Sequence, residues 1–326
     1  MSLPSLALAG SVLAGGLAAG TLAGPAHAAS GDAAVHHRTV RVDGVDVFYR
    51  EAGRQEAPAI LLLHGFPTSS AMYRELIPLL APHFRVLAPD YPGYGHSDAL
   101  PPAQYAYTFD HLAQTMRGFL DRLGVKHAIL YMQDFGGPVG FRLALAQPQR
   151  IDGIVVQNAN AYLEGFAPQV KAQMQRYWTH RTPQTEQEQR FAFSPEGIRW
   201  QYVTGTHDAS ALDPDAWTLD AARMARPGQD AIQLDLLYDY RSNPASYPEW
   251  QAWLKQRQPK TLILWGKGDP LFTVEGARAL KRDVPGARLV VYDAGHFLLQ
   301  EHAADAAREI VAMFGSADGS EVHERD

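Results

Sequence analysis

The feature that most constrains this chain is a rhythm of short, unbroken apolar runs set between longer stretches of helical periodicity. Residues 59–63 read Ala-Ile-Leu-Leu-Leu and stop at His64-Gly65; similar runs follow at 85–88, 128–131, 154–156, 261–265 and 289–292. Strands without polar alternation have both faces buried, as in a parallel sheet covered by helices on two sides. Residues 45–50 do alternate, with Val45, Val47 and Tyr49 facing one way. Between the runs, residues 108–123 put Leu112, Met116, Phe119, Leu120 and Leu123 on one helical face, with Gly124 as a stop. Residues 301–314 repeat the pattern through Ala303, Ala306, Ile310 and Met313. The alternation predicts an α/β fold with a doubly wound, mostly parallel sheet. At 326 residues, 46% of them hydrophobic, the chain is large enough for that core.

One interval breaks the rhythm. A parallel crossover needs only a dozen or so residues, yet about a hundred separate Asn158 from Thr261. The interval holds helix-like runs at 167–180 and 230–241, and five of the six tryptophans: Trp178, Trp200, Trp217, Trp250 and Trp253. So many large aromatics imply a packed unit. We expect a helical cap, residues 159–258, inserted between strands 6 and 7 and splitting the core into 29–158 and 259–315. Because ligands of open α/β sheets bind at the carboxyl ends of the strands, such an insertion roofs the site.

The termini are a different material. Residues 6–24 are mostly Leu, Ala, Val and Gly without a charge, and Pro25-Ala26-His27-Ala28-Ala29 follows. This small-x-small pattern reads as an export signal over residues 1–28, cut after Ala28, although no Lys or Arg precedes Ala9. The periplasm or the exterior is the expected location. A transmembrane anchor fits less well, because the stretch is rich in Gly and Ala, and no second stretch is long enough for stable membrane insertion. Residues 316–326 are polar and form an expected flexible tail. With no Cys, thiol nucleophiles and zinc-thiolate sites are excluded, and a net charge of -6 argues against a nucleic-acid partner. No metal or cofactor motif is present.

The chemistry gathers at the strand ends. Ala128-Ile129-Leu130-Tyr131-Met132-Gln133-Asp134-Phe135-Gly136-Gly137-Pro138-Val139-Gly140 reads as strand, sharp turn and helix with Asp134 at the apex. This is the layout of a nucleophile elbow with Asp in place of Ser. Here the sequence resembles the α/β-hydrolase superfamily, and within it the aspartate-nucleophile branch of epoxide hydrolases and haloalkane dehalogenases. His64-Gly65-Phe66-Pro67, Asp90 to Asp98 with its three turn residues Gly93, Tyr94 and Gly95, Gly266-Lys267-Gly268-Asp269-Pro270 and Gly295-His296-Phe297 complete the resemblance in order.

The resemblance implies Asp134 as nucleophile, Asp269 as the acid orienting the histidine, and His296 as general base. The backbone N–H groups of Phe66 and Phe135 become the expected oxyanion hole, and Asp90 and Asp98 are read as turn-stabilising. A carboxylate can displace a leaving group from saturated carbon without a base, forming an alkyl ester that His-activated water then hydrolyses. The leaving group decides the substrate. Phe135 and Phe66 occupy positions where haloalkane dehalogenases place halide-binding side-chain donors, and neither donates. Epoxide hydrolases use cap tyrosines; Tyr238-Asp239-Tyr240-Arg241-Ser242-Asn243 resembles such a stretch and makes Tyr240 the candidate oxygen donor, with Tyr162 or Tyr177 as second. The reading is thus epoxide hydrolysis of a small apolar substrate to a vicinal diol by a monomer or homodimer. Dehalogenation, ester or lactone hydrolysis, and ligand binding without catalysis stand as alternatives.

Overall fold

The computed structural model describes residues 34–315; the export segment expected at 1–28 and the tail 316–326 lie outside the described residues. Eight strands form one sheet: β1 (His36–Val42), β2 (Val45–Ala52), β3 (Ala59–Leu63), β4 (Arg85–Pro89), β5 (Ala128–Gln133), β6 (Ile151–Gln157), β7 (Thr261–Gly266) and β8 (Arg288–Tyr292). Their spatial order is β1-β2-β4-β3-β5-β6-β7-β8. The pairs β1–β2 and β2–β4 are antiparallel, and every pair from β4 to β8 is parallel.

The apolar runs lie where their composition requires. Ile60 to Leu63 have no exposure, nor do Leu130 to Met132 or Leu262 to Trp265. Each fully buried Leu or Ile of this kind stabilises the fold by about 2 kcal/mol. Val45, Val47 and Tyr49 are buried in β2 while the residues between them are partly exposed, as alternation predicts. The helix Phe109–Arg122 starts at an N-cap, Thr108, whose side chain accepts from the His111 N–H, and it buries Leu112, Met116, Phe119 and Leu120.

Two strands depart from expectation. β1 was not anticipated, because His36 and His37 begin a strand with six of its seven residues at least partly exposed and no apolar run to announce it. It exists through an antiparallel register with β2, Val40 opposite Val47, closed by Asp43-Gly44 at positive φ. β8 was read with the buried runs, yet as an edge strand it leaves Val291 44% exposed.

Six helices lie between β6 and β7: Pro168–Thr179, Pro183–Arg190, Pro195–Val203, Asp215–Met224, Gln229–Asp239 and Ser242–Arg257. Proline opens the first three, where its missing N–H costs nothing, and Thr182 and Ser194 cap the second and third. The last helix ends at Arg257 and packs on the core. Trp250 stacks on Phe141 of the core helix Gly136–Ala146 at 5.1 Å between ring centroids, and Lys255 lies 3.4 Å from Asp283 on the core helix Val274–Asp283. Its large aromatics therefore anchor the insertion to the core. Among the described residues no helix is long and apolar enough to cross a membrane.

Candidate active site

The site is built at the ends of β3, β5, β7 and β8. Asp134 follows β5 at φ 50°, a left-handed conformation that costs a side-chain-bearing residue energy and turns the chain abruptly into the next helix. Two glycines make this elbow sterically feasible. A Cβ on Gly65 would sit 2.3 Å from the Asp134 Cβ, and one on Gly136 would sit 2.1 Å from the Leu63 carbonyl oxygen. The helix can therefore start against the sheet only if both positions lack a side chain.

Asp134 is 4% exposed. Its Oδ1 accepts from the Phe66 N–H at 2.7 Å, and the Phe135 N–H also bonds the carboxylate. Oδ2 lies 3.8 Å from His296 Nε2, beyond a direct hydrogen bond. Burial raises the carboxyl to about 6, against the lowering effects of His296 and the two N–H donors. The expected oxyanion donors thus already bond the carboxylate of a residue that lines the cavity.

His296 is fully buried and bonds Asp269 Oδ2 through Nδ1 at 2.8 Å. Asp269 also accepts from the Leu271 and Phe272 N–H groups through Oδ1 and from Asn158 Nδ2 through Oδ2. A carboxylate so surrounded acts only as acceptor, so Nδ1 carries the proton and Nε2 is the basic nitrogen. Burial alone would depress the imidazole, but Asp269 and Asp134 outweigh it and the net shift is upward. Esterification of Asp134 would remove one of those charges and make His296 easier to keep neutral, the state in which it can accept a proton from water.

Three contributors escaped the sequence reading. Asn158, also at positive φ, donates to Asp269 and accepts from the Gly266 N–H, fixing the acid against β7. Gln133 places its amide nitrogen 3.0 Å from His296 Nε2 and is fully buried. Its position immediately before the elbow was the available signal, since it shares a strand end with Asp134. His64 is pushed down to about 4 by burial, bonds the Gly65 carbonyl, and accepts from the Tyr91 N–H. Neutral near pH 7, it pins the loop that presents the Phe66 N–H.

A cavity of about 320 Å³ opens above Asp134, lined on the core side by Phe66, Phe135, Leu271 and Phe272 and on the other side by residues of the insertion, Tyr240 among them. Tyr240 is 3% exposed, and its ring is boxed by Phe109, Phe135, Phe166 and Trp178 at 5.5–6.0 Å. The hydroxyl has no well-formed hydrogen bond, although that of Tyr247 stands close, and burial raises it well above its usual value. It stays protonated at any working pH.

The second tyrosine is corrected. Tyr162 turns away from the cavity, donating to Asp283 Oδ2 at 3.0 Å with Arg282 over its ring, because its chain has already left the strand ends toward the core helix carrying Asp283. Tyr177 donates to the Leu234 carbonyl, holding two cap helices together. Neither hydroxyl is free for a ligand. Asp90 and Asp98 do serve the turn, accepting backbone N–H groups from Ser70, His96 and Asp46.

An elbow, an imidazole held by a carboxylate and a roofed apolar cavity at the strand ends define an α/β-fold hydrolase. The family model described as alpha/beta hydrolase fold matches residues 58–303, and the chain belongs to that family. It is 43% identical over 281 residues to an uncharacterized hydrolase of Saccharomyces cerevisiae, YNR064C, covering 85% of this chain and 96% of that one. It is 30% identical over 284 residues to a haloalkane dehalogenase of Psychrobacter cryohalolentis, covering 81% and 86% respectively. The crystal structure of haloalkane dehalogenase DbeA from Bradyrhizobium elkani superposes with a TM-score of 0.72 at 25% identity, over 86% of this chain and 96% of that one.

Proposed function

We propose that this hydrolase opens epoxides through an alkyl ester on Asp134. The carrying observation is the asymmetric grip on that carboxylate. Oδ1 accepts the Phe66 N–H, while Oδ2 lies 3.8 Å from His296 Nε2 on a residue that lines the cavity. Oδ2 attacks an oxirane carbon, the C–O bond breaks, and the departing alkoxide takes the Tyr240 proton. Oδ1 is then the ester carbonyl oxygen, already bonded by the Phe66 N–H, with the Phe135 N–H also at the carboxylate. His296 Nε2 removes a proton from water, which adds to that carbonyl; the negative charge develops on Oδ1 where the donors wait. Collapse releases the diol and restores the carboxylate, and the imidazolium returns a proton to the Tyr240 phenolate through solvent.

Dehalogenation is the second reading, favoured by the dehalogenase relative at 30% identity. Against it, the Trp178 N–H is bonded to the Leu237 carbonyl, and the tryptophan on the cavity wall, Trp200, is 39% exposed. A halide leaving group would have Tyr240 and the two backbone N–H groups for solvation.

The test is a panel of epoxides and bromoalkanes assayed for diol and bromide, with wild type and Y240F. Diol formation that falls about 10–100-fold in Y240F is expected; bromide release unaffected by Y240F would select the second reading. One turnover in heavy-oxygen water with excess enzyme should place label in Asp134. H296Q should accumulate the ester, visible as added alkyl mass on the protein. Label passing directly to product without marking the protein would eliminate the covalent route.

A further inference from the structure

We propose that Gln201 makes the cap side of the cavity a subsite for a hydroxyl group, so that the preferred substrate carries an alcohol remote from its reactive carbon. The substrate part of this inference rests on the function proposed above; the binding part does not.

Gln201 lies in the cap helix Pro195–Val203, lines the cavity, and is 3% exposed. Its amide nitrogen donates to the Ala192 carbonyl at 2.7 Å and to the Gly197 carbonyl at 3.3 Å. Both acceptors are carbonyl oxygens, so the amide cannot be turned over without setting oxygen against oxygen. The carbonyl oxygen is therefore the free end, and it has no protein partner; nor is it among the sealed polar atoms that lack one. On a residue that lines the cavity, it is the polar end left for a ligand there.

The neighbouring wall repeats the arrangement. Gln173 directs its amide nitrogen to the Glu188 carbonyl at 3.3 Å and to Gln189 Oε1 at 3.4 Å, which leaves its own oxygen uncommitted. Gln189 is oriented by donating to the Thr185 carbonyl. Around these amides the wall is apolar: Val170, Met174, Phe191, Ala192 and Leu237.

An acceptor in apolar surroundings discriminates by what it loses. Water in the cavity satisfies it, and a hydrocarbon tail that displaces the water leaves it unpaired. A hydroxyl restores the bond. Asp134 is the only lining residue with a carboxyl group and no Lys or Arg lines the cavity, so nothing on the cap side compensates a charged ligand group. A neutral donor fits, and an alcohol is the small one.

The test uses calorimetric binding of two unreactive probes, 5-phenyl-1-pentanol and its methyl ether, to wild type, D134A, Q201M and Q201N. The alcohol is expected to bind roughly tenfold tighter than the ether in wild type and in D134A. Q201M should abolish that preference, and Q201N, whose oxygen is withdrawn by one methylene, should reduce it even if Q201M fails to fold. No preference in wild type, no binding of either probe, or a preference that survives in the Gln201 variants would overturn the subsite. Preference lost in D134A alone would place the hydroxyl on the carboxylate and overturn it too. In parallel, kcat/KM is compared for a phenylalkyl epoxide with and without a terminal hydroxyl. Absence of all turnover would count against the proposed reaction, while the calorimetry still judges Gln201.

Discussion

Asp90 and Asp134 stand at equivalent places, each directly after a parallel strand that flanks β3, and both are nearly inaccessible. Their surroundings part them. Asp90 directs Oδ1 to the Ser70 N–H at 2.7 Å and Oδ2 to the His96 N–H at 2.8 Å, so both oxygens are committed to backbone. Asp134 takes the Phe66 N–H on Oδ1, has a left-handed backbone of its own and stands 3.8 Å from His296, and burial raises its carboxyl to about 6. The first carboxylate holds a turn together. The second is the attacking group of the proposed reaction, and its burial disfavours the ionised form. Residue type and strand position are shared, so what separates the two is the left-handed backbone of Asp134 and the imidazole and cavity beside it.

That contrast can be broken most directly by exchanging each carboxylate for an amide. D134N should lose turnover by about 10⁴-fold or more, since the attacking group itself is gone; D90N should retain kcat within a few-fold. Equal losses in both would dissolve the distinction. Next in size is acidity. Alkylation needs ionised Asp134, so the single-turnover rate of ester formation should fall about tenfold for each unit below about pH 6. A rate flat down to pH 4.5 would mean that the burial effect on this carboxyl is absent.

The smallest effects are on stability, and they should have opposite signs. A carboxyl whose folded value lies above its ordinary 3.8 binds its proton more tightly when folded, so its contribution weakens the fold as pH rises through the window from about 4 to about 6. D134N removes that burden and should stabilise the protein at pH 7 by about 1–3 kcal/mol. D90N leaves one buried N–H facing an amide and should destabilise it by about 1–3 kcal/mol. Urea titrations at pH 7 measure both, and a stabilised D90N would show that its two hydrogen bonds are dispensable.

Much of the fold was legible because unbroken apolar runs leave a strand few places to go. β3, β5, β6 and β7 lie where their composition put them, and Thr108 and Gly124 bracket their helix. β1 escaped because an exposed edge strand needs no apolar run, only a partner, and that partner is fixed by the Asp43-Gly44 turn. The insertion was visible as an interval too long for a crossover. That its last helix packs Trp250 on Phe141 of the core was not legible, because a Trp looks the same in sequence whichever partner it meets.

For the site, local chemistry carried further than long-range contacts. An Asp between a strand and two glycines announces its own backbone, so the elbow could be read from adjacent residues. That Asp269 and His296 meet at 2.8 Å, that Asn158 steadies the acid, and that Gln133 reaches the imidazole depend on four separate strand ends converging. Tyrosines carry no such local mark. The Tyr-Arg stretch singled out Tyr240, but only packing decided that the hydroxyls of Tyr162 and Tyr177 meet a carboxylate and a carbonyl while Tyr240 lines the cavity with its own hydroxyl left without a partner. Strand, turn and helix are dictated by neighbours along the chain; the partner of a buried polar atom is dictated by whatever the fold brings within 3 Å of it.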